Sequence, residues 1–170
     1  WRFLMLRHSV AFDQWLVNIV TSAEAARSVR PLAESLMAAY PQVVSVVNNI
    51  TAKKSGVATG DYELPMAGGS TLRERLGPFE FEISANSFFQ TNTRGAELLY
   101  DVVKAYADLT GRETVMDLYS GIGTIPIWLA DTAKSIVGIE IVESAVADAE
   151  KNCCYNEVAN CEFRAGDILH

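Results

Sequence analysis

Residues Glu113–Ala130 read ETVMDLYSGIGTIPIWLA, a short apolar run that ends in an acid, then two glycines, then a second apolar run. Thr114 to Tyr119 reads as a strand, Ser120 to Gly123 as a tight turn and Thr124 to Ala130 as the start of a helix, with Pro126 tolerated in its first turn. Such a turn sets helix N–H groups beside the carboxyl end of a strand, which is a place to hold a ligand.

The flanks repeat this alternation. Upstream, RGAELLYDVVKAYADLTG (Arg94–Gly111) puts Leu98, Leu99, Val102, Val103 and Tyr106 on one helical stripe, with Gly111 where a C-terminal cap belongs. Downstream come a strand at Ser135–Ile141, a helix from Glu143 to about Asn156, and a third strand, CEFRAGD, from Cys161. Helices alternating with strands over short connections predict an α/β doubly wound parallel sheet. Only three parallel strands precede His170. A sheet of this kind has more, so the chain is expected to be part of a longer protein.

The first half reads differently. Strands are expected at Arg2–Arg7, Gln14–Val20 and Val43–Ile50. Between the last two, a helix is expected after Ser22, with its better half starting at Pro31 and carrying Leu32, Leu36 and Tyr40. This is a small α+β unit. A short strand at Tyr62–Met66 leads into a polar link, AGGSTLRERLGP, and then FEFEI alternates strictly, with Phe79, Phe81 and Ile83 on one face. The expected division is an α+β central domain over 1–78 and a ligand-binding domain over 79–170.

Charge follows this division. Up to Pro78 there are eight Lys or Arg against six acids, and from Phe79 six against fifteen, within a net charge of −7. An acidic second half is a poor general binder of nucleic acid, so RNA contacts are expected from the first half or from local clusters such as Lys53, Lys54, Arg73 and Arg75. Cys153, Cys154 and Cys161 form neither a disulfide framework nor a zinc motif, which fits a reducing compartment. No metal site is expected. Nothing at the start reads as a signal peptide and no run is long enough to span a bilayer, so a cytoplasmic location is the expectation.

The choice of ligand turns on one substitution. In the dinucleotide fingerprint GxGxxG the third glycine lets helix and strand pack closely, and here Pro126 takes that position. What remains is Asp117 before the turn, Gly121 and Gly123 within it, and Glu140 closing the next strand, where a carboxylate can accept both hydroxyls of a ribose. A nucleoside is favoured over a pyrophosphate-bearing cofactor. S-adenosylmethionine fits, with its ribose at Glu140, its charged methionine portion at Asp117 and the turn, and its adenine near Asp167.

A second stretch, ISANSFFQTNTRGAELLY (Ile83–Tyr100), delivers Ser87, Phe88, Phe89, Gln90 and Asn92 just before the helix. Paired aromatics beside an amide can stack on and hydrogen-bond an extruded base. Phe88 and Phe89 can equally be core residues, and Asn92 a helix cap.

Together, SFFQTN, LLY, DLYSGIGT and GIEIVESAVADAEKN resemble the RNA (uracil-5-)methyltransferases that act on 23S ribosomal RNA or on the T loop of transfer RNA. The resemblance runs from about Val43 to the end. It implies a class I S-adenosylmethionine-dependent methyltransferase fold, with Gln90, Tyr119, the turn through Gly121 and Thr124, and Glu140 matching the family's cofactor contacts. Ser120 stands where many members have a cysteine that is not the nucleophile. The family's N-terminal RNA-binding barrel, its iron–sulfur cysteines, its nucleophilic cysteine and its terminal glutamate base have no counterpart here. In that family the cysteine adds to uracil C6, C5 then attacks the methyl group, and a base removes the C5 proton. The resemblance implies an RNA partner, with ribosomal RNA preferred to transfer RNA and a tRNA uracil-5-methyltransferase kept as the alternative. A small-molecule methyltransferase, a nicotinamide oxidoreductase and a non-catalytic RNA-binding module are the rival readings.

Overall fold

The computed structural model describes residues 1–22, 26–52 and 60–168, so Lys53 and Lys54 lie outside it. The chain divides into two units, Trp1–Glu74 with Ser84–Asn86, and Arg75–Ile83 with Ser87–His170. The sequence reading sets the division at Pro78/Phe79 instead, because it takes residues 67–78 for a polar link. Half of that link is a strand, β5 (Thr71–Leu76), in which Leu72, Glu74 and Leu76 alternate inward. Glu74 disguises the alternation. Its carboxylate is buried because it accepts the N–H groups of Val10 at 3.1 Å and Ala11 at 3.3 Å.

In the first unit, β1 (Phe3–Ser9), β2 (Gln14–Thr21), β3 (Val43–Ile50) and β4 (Tyr62–Gly68) form one sheet in that order. β2 and β3 are parallel, which requires the crossover helix α1 (Ala26–Ala39) between them. α1 runs through Pro31 rather than restarting there, and it buries Val29 and Ala33 against Val17, Ile19, Val43 and Val46. Leu32 and Tyr40, two of the three residues expected on its inner stripe, are exposed. The smaller side chains face the sheet and let the helix approach it. Pro65 sits in β4, an edge strand, where its missing N–H costs no ladder bond in the sheet interior. Asn18, Asn48 and Asn49 are wholly buried; Asn49 donates to Asn18 Oδ1 at 2.9 Å and exchanges amide bonds with Asn86 at 3.0 Å each way.

In the second unit, β6 (Phe79–Ser84) returns from β5 through Gly77 and Pro78 and buries Phe81 and Ile83, as its alternation requires. Then follow α2 (Thr93–Ala107), β7 (Thr114–Asp117), α3 (Thr124–Leu129), β8 (Ser135–Glu140), α4 (Glu143–Tyr155) and β9 (Cys161–Ala165). β7, β8 and β9 are parallel neighbours in that order. The core gathers Val115, Ile136 and Phe163 from the sheet with Ile127, Val146 and Ala149 from the helices. Each large apolar side chain buried there contributes about 1.5–3 kcal/mol.

α2 exists where expected, but of the expected stripe only Val103 packs against the core. Ala96 and Tyr100 are buried, whereas Leu98 is 70% exposed and Tyr106 87%. Helical spacing fits both stripes, and the packing partner decides between them. Tyr100 lies edge-on to Trp128 with ring centroids 5.9 Å apart. The helix ends at Asp108 in the left-handed conformation, not at Gly111, which turns later in the loop. Among the described residues no helix is long and apolar enough to cross a membrane.

Candidate functional site

The carboxyl ends of β7 and β8 meet at the glycine turn. β7 stops at Asp117, two residues before the expected end, so Leu118 and Tyr119 belong to the turn. The Tyr119 N–H donates to Asp117 Oδ1 at 3.1 Å, an Asx-type closure that starts the bend. The Ser120 N–H then reaches the Ile139 carbonyl at 3.1 Å, which extends the β7–β8 connection into the turn. Gly121 and Gly123 both have positive φ, +52° and +83°, as the turn demands. A Cβ on Gly121 would meet open space, while one on Gly123 would lie 2.9 Å from Phe163 Cζ. Gly121 thus leaves its outer side clear, and Gly123 admits the Phe163 ring. Gly138 in β8 serves the same ring, since a Cβ there would sit 2.5 Å from Phe163 Cδ1.

Glu140 closes the site. Its Oε2 accepts the Gly121 N–H and its Oε1 the Val142 N–H, both at 3.0 Å. Each carboxylate oxygen keeps a further lone-pair site, so this fastening leaves acceptor capacity for a ligand hydroxyl. Burial pushes the Asp117 carboxyl above the usual carboxylate range; the charge of Glu140 adds to the rise and the Tyr119 N–H opposes it. Two carboxylates therefore share one mouth. That electrostatic arrangement favours a cation and disfavours a pyrophosphate.

Asp117, Tyr119, Gly121 and Glu140 are thus brought together by the Tyr119–Asp117 and Gly121–Glu140 hydrogen bonds and by the mutual influence of the two carboxylates. Asp167 follows Gly166, whose N–H donates to the Glu140 carbonyl at 3.0 Å, so it extends from the same end of the sheet. Thr124 opens α3, a helix of one and a half turns, and its hydroxyl shares a 3.0 Å hydrogen bond with Tyr100 OH. The sequence reading meets Tyr100 only within LLY, as part of the resemblance, and gives it no role. Tyr119 is 77% exposed and stands at the open side of the turn.

The residues before α2 separate. Phe88 is 73% exposed, whereas Phe89 is buried against Phe81 with ring centroids 6.0 Å apart. Phe89 is therefore a core residue and not a base-stacking one, because alternate residues of an extended segment face opposite ways. Asn92 is the N-cap of α2; its side chain accepts the Gly95 N–H at 2.9 Å. That oxygen is engaged in capping rather than reading a base. Gln90 is partly exposed in the segment between them. A groove of about 580 Å³ runs along α4 past Glu82, Glu150, Lys151 and Tyr155, and none of the candidate residues lines it. Among the described residues no cluster of His, Cys, Asp and Glu could hold a metal ion.

This is an α/β fold of the class I S-adenosylmethionine-dependent methyltransferase type. A family described as a methyltransferase domain matches residues 109–170. The chain is 49% identical over 168 residues to an uncharacterized RNA methyltransferase of Chlorobaculum tepidum, an alignment that covers 98% of this chain and 35% of that protein. It is 40% identical to another from Geobacter sulfurreducens, covering 98% of this chain and 34% of that protein. The chain thus spans about a third of the length of the curated relatives it matches. Among solved structures, a Pyrococcus abyssi tRNA (uracil-54, C5)-methyltransferase in complex with S-adenosyl-L-homocysteine is similar with a TM-score of 0.76 and 30% identity, over 96% of this chain and 38% of that one.

Proposed function

We propose that this chain is the cofactor-binding part of an enzyme that methylates C5 of uridine in RNA, using S-adenosylmethionine. The observation that carries the reading is Glu140, which fastens the glycine turn through Gly121 and shares the mouth with Asp117. Such a pair suits a nucleoside that bears positive charge. Glu140 would accept the ribose hydroxyls, Asp117 and the turn would face the methionine portion, and Asp167 would lie on the adenine side. Gln90 and Tyr119 complete the contacts that the resemblance implies. When bound, S-adenosylmethionine supplies an electrophilic methyl group.

Phe88 is the remaining aromatic candidate for stacking on a flipped uracil, since Phe89 is in the core. None of the three cysteines is placed to add to C6. Cys153 and Cys154 lie in the last turn of α4 and Cys161 opens β9, at the end of the sheet opposite Asp117 and Glu140. The Cys153 thiol is moreover pushed up, first by its hydrogen bond with Cys161 and then by burial, so it keeps its proton. The chain alone is therefore expected to bind cofactor without methylating RNA.

The names of the relatives support an RNA substrate, and the solved neighbour's name supports uracil C5. The sequence favours 23S ribosomal RNA, whereas that neighbour is a tRNA enzyme. The test is a longer protein containing these residues, incubated with S-adenosylmethionine and, in separate arms, unmodified 23S ribosomal RNA and T-loop RNA. 5-Methyluridine in either digest is expected. Methylation of another base in both arms would overturn the reading.

A further inference from the structure

α4 and its C-cap carry three polar residues at helical spacing, Asp148, Asn152 and the half-buried cap Asn156, that turn toward the rest of the unit. Asn152 is wholly buried and Asp148 is 7% exposed. Burying such groups is costly unless they are bonded, and each of these has its partners, Asp148 including Lys151 Nζ 3.8 Å from its Oδ1. Asn156 and Asn152 each pair in both directions with a strand backbone. Asn156 accepts the Glu80 N–H at 2.9 Å and donates to the Glu80 carbonyl at 2.7 Å. Asn152 accepts the Glu82 N–H at 2.8 Å and donates to the Glu82 carbonyl at 3.3 Å. Two carboxamides one turn apart thus match the two-residue repeat of β6, as a neighbouring strand would.

The other bonds of this stripe reach the two segments that the proposed function needs. Asn152 Nδ2 also donates to the Ile122 carbonyl at 3.3 Å, between the two turn glycines. Asp148 Oδ2 accepts the buried Ser87 hydroxyl at 2.9 Å, and Ser87 immediately precedes Phe88, Phe89 and Gln90. One helix face therefore holds the glycine turn at Ile122, the strand that delivers the Phe88–Gln90 segment at Glu82, and the start of that segment at Ser87.

We infer that Asp148 and Asn152 are positioning residues that hold the Phe88–Gln90 segment and the Gly121–Gly123 turn in the arrangement that binds cofactor. This rests on the cofactor reading given above. Neither residue need touch the ligand. Each acts through backbone or hydroxyl groups that it fixes.

The experiment is calorimetric titration of this chain with S-adenosylhomocysteine, alongside thermal unfolding of each variant. Ser87→Ala and Asp148→Ala should each weaken binding about fivefold, the worth of one buried hydrogen bond. The double variant should be no weaker than the worse single one, because both remove the same bond. Asp148→Asn keeps an acceptor for Ser87 and should bind within about twofold of the unmodified chain. Ile136→Val, which trims the same core without touching the stripe, serves as the stability control and should keep full affinity despite a lower melting temperature. Unchanged affinity in Ser87→Ala and Asp148→Ala would overturn the inference, as would an affinity loss in Ile136→Val that matches theirs at equal melting temperature. Absence of binding by the unmodified chain would instead defeat the cofactor reading itself.

Discussion

The Glu140 carboxylate holds the Gly121 N–H at 3.0 Å, so the acid that ends β8 is fastened to the glycine turn that follows β7. In dinucleotide sites the corresponding turn offers its N–H groups to a pyrophosphate. Here a carboxylate occupies one of them. NAD should therefore compete poorly with S-adenosylhomocysteine, and a competition titration in which NAD displaces it at equal concentration would remove the main support for a methyltransferase site.

Asp117 gives the site a pH signature. Burial and Glu140 raise its pKa, so it ionises later than an ordinary carboxylate. A cationic ligand gains from the ionised form. Affinity for S-adenosylmethionine should rise as pH rises from the ordinary Asp range through the raised Asp117 pKa, and Asp117→Asn should flatten that rise. A steep rise that persists in Asp117→Asn would assign it to another group. For the chain without ligand the sign is opposite. A raised carboxylate pKa means that the folded state binds the proton more tightly, so this group's contribution declines over the same pH window.

Glu113 works in the other direction. The Thr110 hydroxyl and N–H and the Arg112 N–H hold its carboxyl down to about 2. Its contribution is present above the ordinary Glu value and is lost as pH falls toward about 2. Acid unfolding followed by circular dichroism should show a shallower loss between those limits in Glu113→Gln than in the unmodified chain.

Gly138→Ala should destabilise the second unit by about 1–3 kcal/mol, the usual cost of overpacking. The added Cβ would meet the Phe163 ring and Ser120 Cβ, the latter at 2.8 Å. Chemical denaturation measures the loss. Combining it with Phe163→Leu should recover part of the stability if the ring is the obstacle.

The elements were legible where one physical signal acted alone. Alternation found β6, and β-branched residues found β3 to the residue. The acid, glycine and acid series marked Asp117, Gly121 and Glu140, which the structure brings together because parallel register sets Asp117 beside Gly138, two residues short of Glu140. Where two signals competed the reading failed. β5 was hidden by Glu74, whose burial depends on N–H groups more than sixty positions away in the chain. α2 carries two apolar stripes, and only Trp128 identifies the inner one. Asp148 and Asn152 look like an ordinary solvated helix face, because their partners, the Ser87 hydroxyl and backbone atoms of Glu82 and Ile122, lie far away in the chain and leave no pattern within the helix.

The most direct measurement is calorimetric titration of this chain and of Glu140→Gln with S-adenosylhomocysteine. Glu140→Gln keeps the size of the side chain and an acceptor for one N–H, but it removes the charged acceptor proposed for the ribose. The expected result is saturable one-to-one binding by the unmodified chain and a loss of about 1–3 kcal/mol in the variant, with its fold intact by circular dichroism. No binding by the unmodified chain, or equal binding by both, would contradict the assignment of Glu140 and its turn as the cofactor site.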